Sequence, residues 1–210
     1  MISYTIDVSK KSNLITHVIV STDDEEIAHV AKECGGDVPF MRPKELAEDE
    51  TPHLPVMEHA ISFMEDREGI TFDYAVVLQP TSPFRLADDI DGTVQKMIDT
   101  GADGAVSIQE VEAHSHPMKI KKLEGDFVRP YCVEEEGTQR QDLPVAYKRS
   151  GAVYAVKHDV LMVGKRERFH DENVVGYVVP QERSIDIDTP LDWIKAEYML
   201  SKLKEKGLEF

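Results

Sequence analysis

The sequence predicts an α/β fold: a three-layer structure in which a mostly parallel sheet is covered by helices on both faces. Short apolar runs of strand length alternate with segments whose apolar residues recur at helical spacing. Several runs, such as residues 74–77 (YAVV) and 151–156 (GAVYAV), carry no charged side chain, which is typical of strands buried on both faces. The 210 residues can bury one sizeable core, so we expect a single domain over residues 1–210.

The first third of the chain predicts one strand and two helices. Residues 18–21 (VIVS) are typical of a short buried strand, and Thr22 with Glu25 predicts a capping box for the next helix. Residues 54–66 return to helical spacing after a proline-rich stretch. Core positions in the earlier helix are predicted for Ile27, Val30, Ala31 and Cys34.

The middle of the chain gives the clearest boundaries. Residues 74–79 (YAVVLQ) predict a strand that breaks into the polar loop QPTSP at residues 79–83. A helix is expected over residues 87–100, because Gly101 stands where a C-terminal cap belongs. Residues 104–111 (GAVSIQEV) predict the next strand.

Beyond the middle, the pattern loosens into short polar runs. We expect an excursion from the sheet over about residues 109–148, with a hairpin near Gly125. Strands return at residues 151–156 and 174–180 (VVGYVVP). Thr189-Pro190 predicts a helix start, an N-cap followed by proline at the first helical position. The side chains that this last helix should turn inward are Leu191, Ile194 and Tyr198.

The composition disfavours several classes of partner. A formal net charge of −16 argues against nucleic acid and anionic membranes, because a broad negative field repels both. Two cysteines, and no apolar run near the roughly 18 residues of a membrane span, fit a cytoplasmic protein in a reduced setting. A small anionic ligand would need a local cluster of cations or a metal ion.

Polar side chains follow the strand at residues 74–79, and ligands of open α/β sheets bind at such strand ends. Gln79, Thr81 and Ser82 offer donors and acceptors suited to sugar or phosphate oxygens, and the flanking prolines fix the backbone. The alternative is a rigid proline turn that caps the next helix. These residues alone do not separate the two interpretations.

Asp186 and Asp188 form a second candidate site. If the segment SIDID is extended, Ile185 and Ile187 face the core and both carboxylates face the other way, with Cα atoms about 6.6 Å apart. A divalent cation converts the repulsion between such carboxylates into binding, and Mg²⁺ is usually held by one or two carboxylates plus substrate phosphates. The alternative, in which the aspartates cap the last helix, suits Asp188 better than Asp186.

A basic stretch and a histidine pair are weaker signals. Arg140 could bind a carboxylate through its planar guanidinium, whereas Lys148 and Arg149 are each more typical of solvated surface charge. His114 and His116 stand two residues apart in a loop without a third ligand nearby. We therefore expect both histidines at the surface.

Five segments occur together in the order and spacing of one family: VIVSTDDEEIA, RPKELAEDET, VVLQPTSPFR, RQDLP and SIDIDTPLDW. On these motifs, almost the whole chain resembles the acylneuraminate cytidylyltransferases, the CMP-sialic acid synthetases and their bacterial relatives acting on legionaminic or pseudaminic acid. The resemblance implies a fold of nucleotide-diphospho-sugar transferase type and a homodimer. It also implies transfer of CMP from CTP to an acidic nonulosonic sugar, with Mg²⁺ and release of pyrophosphate.

The same resemblance assigns roles to individual residues, and it likens the excursion to a dimerisation arm that reaches the partner's site. The implied roles are substrate contact for Gln79, Thr81, Ser82, Arg85, Arg140 and Gln141, nucleotide contact for Arg42, and metal binding and catalysis for Asp186 and Asp188. Gln139 and Ser150 differ from residues common in the family, which leaves the choice of nonulosonic acid open. An octulosonic acid is disfavoured, because enzymes for that sugar usually carry an acidic residue in the loop that here is QPTSP.

The chain departs from this family at its start. The family opens with a strand and a basic, glycine-containing loop that cradles the CTP phosphates, whereas Met1 here directly precedes the first predicted helix. Without the strand, its neighbours would have unpaired backbone groups, and without the loop the triphosphate would lose its main cradle. A truncated or inactive family member that binds sugar or nucleotide without turnover is therefore a second hypothesis.

Overall fold

A four-stranded sheet forms the centre of the molecule in the computed structural model, which describes residues 1–132, 139, 142–163, 169 and 172–208. The strands in chain order are β1 (Tyr74–Val77), β2 (Gly104–Glu110), β3 (Lys121–Glu124), β4 (Phe127–Pro130), β5 (Tyr147–Lys157) and β6 (Val174–Val178). The sheet order is β1-β5-β2-β6, and β3 pairs with β4 in a separate hairpin. Because β5 runs antiparallel to both β1 and β2, while β2 and β6 are parallel, three of the four strands share one direction.

The helices in chain order are α1 (Ile2–Ser9), α2 (Glu25–Glu33), α3 (His53–Glu68), α4 (Ala87–Thr100), α5 (His158–Met162) and α6 (Pro190–Glu205). Helix α4 has the predicted bounds, with Gly101 as its C-cap. Helix α6 begins as predicted, since the Thr189 hydroxyl accepts from the Asp192 amide and the Asp192 carboxylate accepts from the Thr189 amide. No helix within the described ranges is long and apolar enough to span a membrane.

Apolar side chains cover both faces of the sheet. On one face, buried Met57 of α3 and Leu161 of α5 pack with Val106 and Val156 of the sheet. On the other face, α4 packs against buried alanines of β2 and β5 through Val94 and Met97. The helices therefore form two outer layers around the sheet, and the predicted α/β class is confirmed.

The prediction that residues 18–21 form a strand of the central sheet is wrong. The segment forms one isolated parallel bridge, between Ile19 and Asp37, supported by a hydrogen bond of 2.8 Å from the Val20 amide to the Asp37 carbonyl. Pro39 lies two residues beyond the bridge and has no N–H, which prevents a longer regular ladder on that side.

Helix α2 begins and packs differently from the prediction. Its N-cap is Asp24, whose carboxylate accepts from the Ile27 amide at 2.9 Å, whereas Thr22 accepts from the Asp24 amide. The predicted box of Thr22 with Glu25 is therefore wrong, because the nearer carboxylate takes the free helix amide. Among the predicted core positions, Ala31 is buried and Cys34 is half-buried, whereas Ile27 and Val30 are 46% and 39% exposed.

Helix α6 presents the opposite face to the one predicted. Ala196 and Leu203 are buried against Phe84, and Met199 and Leu200 pack beside them. The predicted inward residues are exposed by about 60%: Leu191 59%, Ile194 62% and Tyr198 62%. Because the helix carries apolar residues on more than one face, their spacing alone did not select the buried face.

The excursion contains the predicted hairpin. Strands β3 and β4 are joined by a turn through Gly125, and their register pairs Glu124 with Phe127. All residues of both strands are exposed, including Leu123 and Phe127.

Candidate active site

Gly151 marks the point where three of the predicted site residues converge. Its φ is +80°, and a methyl group in place of its hydrogen would lie 2.8 Å from Ser82 Oγ, 3.2 Å from Asp186 Oδ2 and 3.3 Å from Gln79 Oε1. Three polar side chains from two separate loops therefore face one small space above β5. We call Gln79, Ser82, Gly151 and Asp186 the cradle.

Two contacts join the loops that form the cradle. The Ile187 amide donates to the Thr81 carbonyl at 2.9 Å, and Ser82 Oγ lies 3.5 Å from Asp186 Oδ1. The loop after β1 is also closed on itself, because the Ser82 amide donates to the Gln79 carbonyl. The QPTSP loop and the segment SIDID are thus held together although they are about a hundred residues apart in sequence.

Alternation in the segment SIDID brings Asp186 to the cradle. Ile185 and Ile187 pack toward Phe84 and α6, and Asp186 between them points the other way. This is the arrangement that the sequence predicts for Asp186. Asp188 is exposed, and its place beside Asp186 stays a prediction.

Arg85 lies beneath the QPTSP loop. It is 1% exposed, and its guanidinium donates to the Ala152 carbonyl at 2.7 Å, to Thr5 Oγ1 at 2.9 Å and to the Gln79 carbonyl. Burial lowers the pKa of Arg85 to about 10, against the opposing effect of the Asp89 and Asp186 carboxylates. In this structure Arg85 supports the cradle from below, and its predicted contact with substrate stays a prediction.

Two further groups of β5, Tyr154 and Arg149, interact electrostatically, and Tyr154 also interacts with Asp186. Burial is the main cause of the raised pKa of Tyr154; Arg149 lowers that pKa and Asp186 raises it. Tyr154 and Arg149 are therefore within electrostatic range of each other, and Asp186 is within range of Tyr154. Arg149 is exposed, as expected for a surface charge.

His116 is not a surface residue, so that prediction is wrong. It is 4% exposed; its Nδ1 accepts from the Met118 amide at 3.2 Å, and its Nε2 lies 3.0 Å from the Pro144 carbonyl. Because Nδ1 is an acceptor, the ring proton belongs on Nε2, which donates to Pro144. His116 thus ties the two limbs of the excursion together, while His114 is exposed beside Glu112.

Comparison with known proteins shows the family of this chain. A family model described as Cytidylyltransferase matches residues 1–205. The chain belongs to the cytidylyltransferase family. The predicted family and the nucleotidyltransferase class of enzyme are therefore confirmed.

Relatives of this cytidylyltransferase span nearly its whole length. Post-translational flagellin modification protein B of Campylobacter coli is 28% identical over 209 residues, which are 100% of this chain and 86% of that protein. CMP-N,N'-diacetyllegionaminic acid synthase of Legionella pneumophila is 28% identical over 206 residues, 98% of this chain and 87% of that protein. A solved CMP:2-keto-3-deoxy-manno-octonic acid synthetase complexed with CTP has a TM-score of 0.66, covering 96% of this chain and 87% of that one. The TM-score shows a shared fold, which confirms the predicted fold type, and at 16% identity the likeness concerns the fold alone.

Three other predicted site residues of this cytidylyltransferase are Arg42, which contacts backbone carbonyls, and Arg140 and Gln141. Arg42 donates to the Ser21 carbonyl at 3.1 Å and to the Leu46 carbonyl at 3.4 Å, and its Nε is buried without a partner in the described part of the chain. Arg140 and Gln141 lie outside the described residues. Their roles toward nucleotide and sugar stay predictions.

The cradle suits a hard divalent cation only in part. Asp186 Oδ2 and Gln79 Oε1 are oxygen donors of the kind that Mg²⁺ prefers. Within the described residues, no three side chains of histidine, cysteine, aspartate or glutamate are grouped as a complete metal site.

Sequence reasoning missed two features of the site, Gly151 and the ion pair of Asp89 with Arg183. A glycine within an otherwise apolar strand is a signal for close approach of another group, and it could have identified Gly151. The ion pair joins residues 94 positions apart, and neither residue lies in a recognisable motif.

Proposed function

We propose that this chain transfers CMP from CTP to the anomeric hydroxyl of an acidic nonulosonic sugar and releases pyrophosphate. The observation that carries the proposal is the cradle, where Gln79, Ser82 and Asp186 face one space at the end of β1. Relatives named CMP-N,N'-diacetyllegionaminic acid synthase, 28% and 29% identical, support this sugar class. The shared fold with a CTP-bound synthetase supports the nucleotide.

In the proposed reaction, the anomeric hydroxyl loses its proton to water, its oxygen forms a bond to the α-phosphorus, and the bond from that phosphorus to pyrophosphate breaks. Gln79 and Ser82 would orient the two substrates through hydrogen bonds, since both side chains reach the cradle. Asp186 and Asp188 would hold Mg²⁺, which when bound offsets negative charge on the phosphoryl oxygens and the leaving group. This offset matters because the chain itself carries a net charge of −16.

Pyrophosphate release by the 210-residue chain tests the proposal, with CTP, Mg²⁺ and a panel of legionaminic, pseudaminic and N-acetylneuraminic acids. We expect turnover with at least one sugar, and a loss of roughly 100-fold or more in Asp186→Asn, because a positioned charge is removed. The matched control is Asp99→Asn, which changes an exposed carboxylate on α4 that accepts from Gln95. It should leave turnover unchanged.

Two outcomes would contradict the proposal. Full turnover in Asp186→Asn would show that the metal-binding assignment is wrong. Binding of sugar or CTP without pyrophosphate release by the wild-type chain would instead favour a binding protein that has no transferase activity.

The proposal includes a homodimer in the cytoplasm. Two exposed apolar surfaces support the dimer: the α6 stripe of Leu191, Ile194 and Tyr198, and the hairpin with Leu123, Phe127 and Val128, all at least 59% exposed. Exposed apolar groups of this kind mark protein interaction sites. Light scattering after gel filtration should give twice the 23.7 kDa chain mass, and Phe127→Asp or Ile194→Asp should lower it. A monomeric wild-type chain would contradict this part of the proposal.

A further inference from the structure

Asp89 and Arg183 form a buried, two-pronged ion pair near the cradle. Arg183 Nη1 contacts Asp89 Oδ2, and Nη2 donates to Oδ1 at 3.0 Å; the side chains are 10% and 4% exposed, respectively. The ring of Tyr177 packs closely on α4 at Gly92, where an added methyl group would lie 2.3 Å from a ring carbon. Burial raises the pKa of Tyr177 together with the nearby Asp89 and Asp88 carboxylates, while Arg183 lowers it. Tyr177 is therefore within electrostatic range of the pair.

The pair links the two halves of the cradle through the chain. Arg183 ends the 3₁₀ turn Gln181–Arg183 and stands three residues before Asp186. Asp89 lies in the first turn of α4, directly after the QPTSP loop, and its Oδ2 also accepts from the Leu86 amide at 2.8 Å. The Asp89 carboxylate thus caps α4, the helix that follows the QPTSP loop. The same carboxylate binds Arg183, which leads into the segment SIDID.

Other contacts also hold the segment between Arg183 and Asp188: the Ser184 hydroxyl donates to the Pro180 carbonyl at 2.9 Å, and Ile185 and Ile187 pack toward Phe84. The Ser184 carbonyl accepts from Gln109 Nε2 at 3.2 Å, and the Ile187 amide donates to the Thr81 carbonyl at 2.9 Å. The contact between Ser82 and Asp186 is long, at 3.5 Å, and does not by itself fix the carboxylate. A guanidinium fork, in contrast, fixes both the distance and the angle between its partners.

We propose that Arg183 is a positioning residue, which through its fork with Asp89 holds the segment 184–188 so that Asp186 faces Gln79 and Ser82. Desolvation offsets most of the stability that a buried ion pair contributes, so geometry is the property that this pair supplies. The catalytic consequence rests on the function proposed above, whereas the positioning itself does not.

The test compares Arg183→Lys with Glu182→Gln. Lysine keeps the positive charge but replaces the fork by a single ammonium group. Glu182 lies in the same turn, its carboxylate contacts Lys206 and its side chain is 40% exposed, so Glu182→Gln is the matched control. Hydrogen exchange is measured on the full chain, with the Ile187 amide as the reporter because it bonds directly to the other cradle loop.

We expect at least tenfold faster exchange at Ile187 in Arg183→Lys, with exchange in β2 and β5 unchanged, and no effect of Glu182→Gln. Pyrophosphate release should fall at least tenfold through kcat, with a smaller change in KM for CTP. Unchanged exchange at Ile187 would overturn the proposal. Equal acceleration throughout the sheet would also overturn it, because the pair would then support only overall stability.

The two proposals can fail separately. Faster exchange at Ile187, together with a wild-type chain that releases no pyrophosphate, would support the positioning role and contradict the proposed reaction. If Arg183→Lys does not fold, Asp89→Asn combined with Arg183→Gln removes both buried charges together and takes its place in the exchange measurement.

Discussion

Replacing Gly151 by alanine is the most direct test of the cradle. The φ of +80° lies in the left-handed region, where a side chain costs about 1–2 kcal/mol. The new methyl group would also lie 2.8 Å from Ser82 Oγ, and Ser82 is only 1% exposed and has little room to move. Overpacking of this kind costs typically about 1–3 kcal/mol, so Gly151→Ala should lower the free energy of unfolding by about 2–5 kcal/mol.

Activity should fall further than stability alone explains. The methyl group would occupy the space shared by Gln79, Ser82 and Asp186. Either these side chains must move away from it, or the substrate must bind in a shifted position. A misplacement of about 1 Å can cost roughly 100-fold in rate, and we expect a loss of that order in kcat/KM for pyrophosphate release.

Gly69→Ala is the matched control. Gly69 caps α3 with a φ of +69°, and an added methyl group would meet nothing within 4 Å. It should therefore show only the backbone cost of about 1–2 kcal/mol in urea unfolding, with turnover unchanged. If Gly151→Ala loses no more stability than Gly69→Ala and retains full turnover, the cradle is not the active site.

Two further predictions concern side chains that anchor loops elsewhere in the fold. Asp91 is partly buried, which raises its pKa, but four hydrogen bonds from residues 12–14 outweigh this and lower the pKa below its usual value. Asp91→Asn should cost about 1 kcal/mol near pH 7, and its deficit in urea unfolding should shrink as pH falls below about 3.9, because the lowered pKa stabilises only the ionised form. His116→Ala leaves the Pro144 carbonyl and a backbone amide without their partner and should cost about 1–3 kcal/mol in thermal unfolding, whereas His114→Ala should be neutral. An equal effect of the two histidine changes would contradict the anchoring role.

Local signals in the sequence predicted the parts of the fold that local chemistry determines. Helix α4 ends at Gly101 and α6 starts at Thr189, because caps act within one helical turn of the residue that provides them. The position of Asp186 followed in the same way from the alternation with Ile185 and Ile187. Each of these predictions needed fewer than six neighbouring residues.

Predictions that depended on a distant partner were less successful. Residues 18–21 have the apolar composition of a strand, but a strand also needs a ladder of hydrogen bonds to a neighbouring segment. Here the pairing is a single bridge between Ile19 and Asp37. The face of α6 is selected by Phe84, which lies more than a hundred positions earlier. No pattern within α6 contains that information.

The charges of the described residues around the cradle bear on the Mg²⁺ requirement that we propose. Arg85 is the guanidinium beneath it, and its hydrogen bonds commit it to the Ala152 carbonyl, the Thr5 hydroxyl and the Gln79 carbonyl. Arg183 is likewise committed to Asp89. Both arginines act as fixed supports, so the Asp186 oxygens that face the cradle remain available as ligands. An anionic triphosphate approaching this carboxylate would be repelled unless a divalent cation lay between them, which gives a physical basis for the Mg²⁺ requirement that we propose.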